Sequence, residues 1–235
     1  MLFRSLPLIS YFDGGNLEVV HCGNAACSSG KTSTTVDSGG VGLYGSETIG
    51  ADGLPLVSYF DILGNALKVL HCGNAACSSG NTKTTVDSGN VGEYSSVTIG
   101  IDGLPLVSYY DQGNGTLKVM HCGTLDCSSG NTFKTVDSSG NVGGYTSVTI
   151  GADGLPVVSY RDFTHQALKV LHCDALDCSS GNTSRTVDTN NVGLDTAVTI
   201  GADGLPFISY IDVANSTLKV LHCGNAFCVP YLRRR

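Results

Sequence analysis

Ten cysteines carry the first chemical signal, because they fall into pairs of identical spacing. A His-Cys dipeptide recurs at His21-Cys22, His71-Cys72, His121-Cys122, His172-Cys173 and His222-Cys223, at intervals of 50, 50, 51 and 50 residues. A second cysteine follows each at +5: Cys27, Cys77, Cys127, Cys178 and Cys228. Paired thiols with none left over read as disulfides within each repeat, and disulfides persist in oxidising compartments. The rival chemistry is a metal site built from one repeat, such as His71, Cys72 and Cys77. Adjacent residues of a strand point to opposite faces, and no fourth ligand stands at zinc-like spacing. Pairs 22–27, 72–77, 122–127, 173–178 and 223–228 are therefore expected as disulfides, with no metal and no cofactor.

The other reactive residues also repeat. The histidines alternate with apolar positions and are expected to pack between repeats, their ring nitrogens on backbone groups. Unrepeated His165 reads as a solvated loop residue. Aspartates form three series: Asp52, Asp102, Asp153 and Asp203; Asp13, Asp61, Asp111, Asp162 and Asp212; Asp37, Asp87, Asp137 and Asp188. No loop holds the dense oxygen ligands calcium needs, so side-chain-stabilised turns explain all three. Tyr59, Tyr109, Tyr160 and Tyr210 alternate within strands and read as packing residues. Tyr44, Tyr94 and Tyr145 fall in Gly/Ser-rich connections, where they could stack on a sugar; the equivalent position in the last full connection is Asp195. Asn114, Asn182 and Asn215 fit the N-glycosylation pattern, which matters only in a glycosylating host. No GxSxG-type nucleophile elbow is present. Every candidate group recurs four or five times, whereas catalysis needs different groups converging on one spot, so no enzyme is expected.

The period near fifty residues is the signature of propellers and arrays. In the copy beginning at Ser96, short β-branched runs alternate with turn signals. Ser96–Gly100 is one strand, and Asp102-Gly103 makes a tight turn. Leu104–Tyr109 is the second strand, with Pro105 near its start, where a missing N–H costs least. Leu117–Cys122 and Thr132–Val136 follow, and no segment keeps a helical apolar repeat. Four short antiparallel strands, repeated around a ring, describe a propeller blade. The fold class is all-β: a five-bladed β-propeller over 1–235, with repeats at about 1–45, 46–95, 96–146, 147–196 and 197–235. Met1–Ser5 stands where a first strand belongs, and the chain departs from the repeat again at Val229-Pro230-Tyr231-Leu232. Both terminal blades are thus incomplete, one on its inner edge and one on its outer edge.

The order SVTIGADGLPLVSYFD…LKV resembles the strand–turn–strand pattern of NHL-type extracellular propeller repeats. The near-symmetry resembles five-bladed tachylectin-like lectins. These resemblances imply the fold, and the HC-x4-C element departs from the usual NHL repeat, so no family site is carried over.

A net charge of −7 offers no basic face for nucleic acid, and no apolar run is long enough to span a membrane. Met1-Leu-Phe-Arg-Ser lacks the apolar core of a secretory signal, yet the cysteines argue for an extracellular or cell-surface location. Arg233–Arg235 reads as a solubilising cluster. The function expected is structural: a disulfide-stapled unit whose open edges pair head-to-tail with other copies of itself, giving filaments or a surface matrix. The alternative is a multivalent carbohydrate-binding lectin, with glycans as partners.

Overall fold

A computed structural model describes residues 6–229. Its strands form five antiparallel sheets, one per repeat. Blade 1 holds β1 (Leu8–Asp13), β2 (Asn16–His21) and β3 (Thr32–Ser38); blade 2 holds β4 (Val41–Ile49), β5 (Pro55–Asp61), β6 (Ala66–His71) and β7 (Thr82–Ser88). Blade 3 holds β8 (Val91–Ile99), β9 (Pro105–Asp111), β10 (Thr116–His121) and β11 (Thr132–Asp137). Blade 4 holds β12 (Val142–Ile150), β13 (Pro156–Asp162), β14 (Ala167–His172) and β15 (Thr183–Asp188). Blade 5 holds β16 (Val192–Ile200), β17 (Pro206–Asp212) and β18 (Thr217–His222). Pairing follows chain order in every blade, and β4, β8, β12 and β16 lie side by side as the inner strands. This is an all-β, five-bladed propeller.

The period-two alternation of each strand sends one set of side chains back to the preceding blade and the other forward. Leu17 and Val19 of blade 1 pack on Val57, Tyr59 and Leu70 of blade 2. Leu56, Leu67 and Val69 then pack forward on Val107, Tyr109 and Met120. A central strand such as β9 is therefore buried on both faces, and its apolar side chains each contribute about 1.5–3 kcal/mol. At the ends the pattern has no partner among the described residues. Tyr59, Tyr109 and Tyr160 are fully buried, whereas their counterpart Tyr11 is 40% exposed; Leu67, Leu117 and Leu168 are fully buried, whereas Leu218 is 72% exposed.

Blade 1 lacks an inner strand and blade 5 an outer one among the described residues. Met1–Ser5, the altered stretch over 230–235 and the Arg233–Arg235 cluster lie outside them. The inner strands start earlier than the sequence suggested, at Val41, Val91, Val142 and Val192. The stretch read as a Gly/Ser connection is strand, because register slips between Val91 and Glu93 and between Glu93 and Ser96 absorb extra residues as bulges. Gly92 makes this possible: at φ 106° its Cα packs so closely that a Cβ would lie 2.7 Å from the Leu67 Cα.

Polar pins tie the blades together. Asp87 accepts hydrogen bonds from Tyr109 Oη at 2.6 Å and Lys118 Nζ at 2.5 Å, both from the next blade. Asp37, Asp137 and Asp188 do the same with Tyr59 and Lys68, Tyr160 and Lys169, and Tyr210 and Lys219. Their reading as turn-formers is corrected only in part: Oδ1 of Asp37, Asp87, Asp137 and Asp188 accepts the N–H of Ser38, Ser88, Ser139 and Thr189, while the second carboxylate oxygen serves the neighbouring blade. The other two aspartate series do stabilise turns, as where Asp52 Oδ1 accepts the Leu54 N–H and Asp61 Oδ1 the Gly64 N–H. The histidines are corrected too. His71, His121, His172 and His222 pair through Nε2 with Asp52, Asp102, Asp153 and Asp203, at 2.8–2.9 Å, rather than with backbone. His165 is exposed, with its Nδ1 2.8 Å from Asp162.

All five Cys-x4-Cys pairs form disulfides within their own repeats. Each second cysteine has a positive φ, which lets the loop turn back onto the strand end. Closing so short a loop restricts the unfolded chain by roughly 2 kcal/mol per bridge.

Candidate functional site

The bulges of the inner strands do more than bend them. Tyr44, Tyr94 and Tyr145 occupy the bulge positions at φ 53°, 54° and 52°, and Asp195 holds the same place in blade 5 at φ 46°. Left-handed backbone costs a bulky residue about 1–3 kcal/mol, and such strain gathers where a side chain must be aimed. Here it turns each side chain out of its blade and into line with its neighbours. Tyr44 and Tyr94 have ring centroids 4.4 Å apart, and Tyr94 and Tyr145 are 4.3 Å apart. Three blades therefore contribute a continuous ladder of phenols, which ends at a carboxylate.

The strained backbone is held by hydroxyls from the following blade. Ser95 Oγ donates to the Tyr44 carbonyl at 3.1 Å, and Thr146 Oγ1 donates to the Tyr94 carbonyl at 3.0 Å. Those hydroxyls also meet Ser58 at 2.9 Å and Ser108 at 2.7 Å, both fully buried. Behind the ladder stands a second aromatic row: Phe60 lies 6.3 Å from Tyr44, Tyr110 lies 6.4 Å from Tyr94, and Phe163 lies 6.2 Å from Tyr145. In blade 4 Arg161 takes the position that Phe60 and Tyr110 hold in theirs. Its guanidinium lies over Phe163 and donates to the Val192 carbonyl and Asn191 Oδ1, while its buried Nε finds no partner.

The ladder lines a depression of about 170 Å3 with Ser95, Thr146, Asp195 and Thr196. Burial first, then the phenols of Tyr145 and Tyr44, hold the Tyr94 hydroxyl well above its ordinary pKa. It is a neutral donor and acceptor at physiological pH, not a phenolate. The depression thus offers aromatic faces, neutral hydroxyls and, at one end, a carboxylate. This combination suits a polyhydroxylated ring with an apolar face.

Of the residues singled out from sequence, Tyr44, Tyr94 and Tyr145 come together, and Asp195 joins them. They lie in the inner strands, not in connecting loops. Asn114, Asn182 and Asn215 are dispersed over three blades, each with its amide nitrogen already donating, to Asp111, the Cys178 carbonyl and Asp212. Sequence reasoning missed Ser95, Thr146, Thr196 and Arg161. The V-G-x-[Y/D] string shared by the four inner strands, followed by Ser or Thr in the last three and by Gly45 in the first, is the signal that could have found the hydroxyls.

No protein-family model matches the sequence, and no curated protein matches it. Solved structures do match the fold. A protein of unknown function from Dyadobacter fermentans superposes with a TM-score of 0.67 at 12% identity, over 92% of this chain and 66% of that one. The NanB sialidase of Streptococcus pneumoniae gives 0.62 at 12% identity, over 87% and 34%. An α-L-arabinofuranosidase from Clostridium thermocellum gives 0.53 at 11% identity, over 94% and 91%. The chain spans just under two-thirds of the first of these and about a third of the second.

These neighbours correct the expectation of a structural protein that assembles into filaments and has no enzymatic role. Glycoside hydrolases recur among them. The argument from symmetry also fails on physical grounds. Near-identical blades were expected to leave no single spot where unlike groups converge. The inner strands bring Tyr44, Tyr94, Tyr145 and Asp195 to one depression, so repetition builds one asymmetric site at the centre.

Proposed function

We propose that this chain is a carbohydrate-active propeller, and that a sugar ring docks on the Tyr44–Tyr94–Tyr145 ladder with hydroxyls directed to Asp195. The observation that carries this reading is the ladder itself. Three tyrosines are kept in left-handed backbone, at a cost in stability, with ring centroids 4.3–4.4 Å apart and a carboxylate at the end. Packing alone does not call for that strain, since Tyr59, Tyr109 and Tyr160 pack the blades from ordinary strand positions. The sialidase and arabinofuranosidase neighbours support the same substrate class. So does the near-symmetry that resembles tachylectin-like lectins, although the geometry favours one central site over one site per blade. The five disulfides suit action outside the cell, in an oxidising compartment.

A glycan array, run beside a panel of chromogenic arabinofuranosides, xylosides and sialosides, tests this. Binding or turnover is expected for a subset of glycans and lost in Tyr94→Ala. Asp195→Asn separates the roles of its carboxylate: loss of turnover with binding kept assigns it to the reaction, and loss of binding assigns it to recognition. No signal on either panel overturns the proposal.

A further inference from the structure

The inner edge of blade 1 differs from the other four. Leu8 pairs with His21 in the β1–β2 register, and the Pro7 carbonyl takes the Cys22 N–H. Alternate groups of a strand serve opposite edges, so Pro7, Ile9, Tyr11 and Asp13 face β2 while Leu8, Ser10 and Phe12 direct their backbone groups to the side that no strand covers among the described residues. In blades 2 to 5 the inner strand fills that side. In blade 1 two depressions of about 240 and 280 Å3 lie along it, sharing Leu6, Leu8 and Ile49.

Three residues beside this slot lack what their counterparts have. The Val97, Val148 and Val198 N–H groups donate to Ser46, Ser96 and Ser147 of the preceding inner strand; the Glu47 N–H has no such hydroxyl among the described residues. Ile49 is 46% exposed. His21 has no carboxylate partner among the described residues, while the four later histidines each hold an aspartate. The side chains differ as well. Val97, Val148 and Val198 are buried, and blade 2 has Glu47 in their place, exposed to the slot and bonded to Ser10 Oγ at 2.5 Å.

We propose that the open edge of β1 is a strand-addition site for an extended peptide carrying a basic side chain, with Glu47 as its counter-charge. Main-chain hydrogen bonds to Leu8, Ser10 and Phe12 supply affinity, and side-chain seats supply selectivity. The choice of a basic peptide follows from charge: the slot has a carboxylate where the repeat has valine, on a chain of net charge −7. By the alternation of the intact blades, the peptide residue two after the serine that would accept the Glu47 N–H lies on the face toward Glu47. The basic side chain belongs there. This site is distinct from the tyrosine ladder, and its test is independent of carbohydrate.

The probe is a synthetic peptide copying residues 91–100 with Thr98→Lys, compared with the same peptide carrying Thr98→Glu. The expected result is at least tenfold tighter binding of the lysine peptide by the wild-type chain, and a reversed preference in Glu47→Lys. Glu47 is exposed, so that variant keeps the fold. The Leu8, Ser10 and Phe12 amides should gain hydrogen-exchange protection in the complex. Equal binding of both peptides, no binding at millimolar concentration, or full protection of those amides in the free chain would overturn the proposal.

Discussion

The ammonium of Lys169 lies 2.5 Å from the carboxylate of Asp137, and the two belong to different blades. Both are buried, and the Tyr160 hydroxyl shares the same carboxylate oxygen at 2.6 Å. Burial alone would raise the Asp137 pKa, but Lys169, Tyr160 and Ser139 outweigh it and hold the group at about 2. A depressed carboxylate stabilises the fold above its unfolded pKa and loses that contribution as pH falls through the folded value. The window here runs from about pH 4 down to about pH 2, and the contribution lost is roughly 2 kcal/mol. Asp37 and Asp188 are shifted the same way. Denaturant midpoints should therefore fall across this window, and Asp137→Asn should flatten the fall. An identical pH profile in that variant would refute the assignment.

The disulfides should not be equally reducible. Cys77, Cys127, Cys178 and Cys228 are buried against the preceding blade, while Cys27 is partly exposed because nothing among the described residues packs on the back of blade 1. Mild reduction followed by alkylation should label Cys22 and Cys27 first, at a stability cost of roughly 2 kcal/mol. Uniform labelling of all ten cysteines would contradict this account of the end face.

Gly92 and Gly89 offer a matched comparison, since both have φ 106°. An added Cβ at Gly92 meets the Leu67 backbone, whereas one at Gly89 meets nothing within 4 Å. Gly89→Ala should cost the strain of its backbone alone, about 1–3 kcal/mol, and Gly92→Ala should cost clearly more. Equal losses in thermal unfolding would show that the bulge tolerates the extra atom.

Much of this was legible in the sequence. The fifty-residue period implied the blades, the +5 cysteine spacing implied the bridges, and Asp52-Gly53 and its copies marked a turn. Three things were hidden for physical reasons. Val91–Ser95 looked like a linker because glycine and serine are turn residues, yet two register slips keep it in the sheet. Asp87 looked local because its second oxygen bonds to Tyr109 and Lys118, 22 and 31 residues away. Tyr44, Tyr94 and Tyr145 were visible as sugar-stacking candidates, but their meeting with Asp195 was hidden, because equivalent residues in a linear repeat do not announce that they meet. Only the side-by-side packing of β4, β8, β12 and β16 brings the four to one depression.

Removing one rung should disturb the ladder without unfolding it. Tyr94→Ala keeps the left-handed strain, because the Cβ remains, and loses two tilted ring contacts, each worth about 0.5–1.5 kcal/mol. The net loss of stability should stay within about 3 kcal/mol, while saccharide binding disappears. A variant that unfolds outright would show that the ladder is core structure.

The most direct measurement is a nuclear magnetic resonance titration of ring-labelled tyrosine with the saccharides selected on the glycan and glycoside panels. Saturable shifts confined to Tyr44, Tyr94 and Tyr145, with Tyr11, Tyr59 and Tyr210 unmoved, are the predicted result. Saturable binding that leaves those three rings unperturbed would contradict the assignment of the tyrosine ladder as the carbohydrate site.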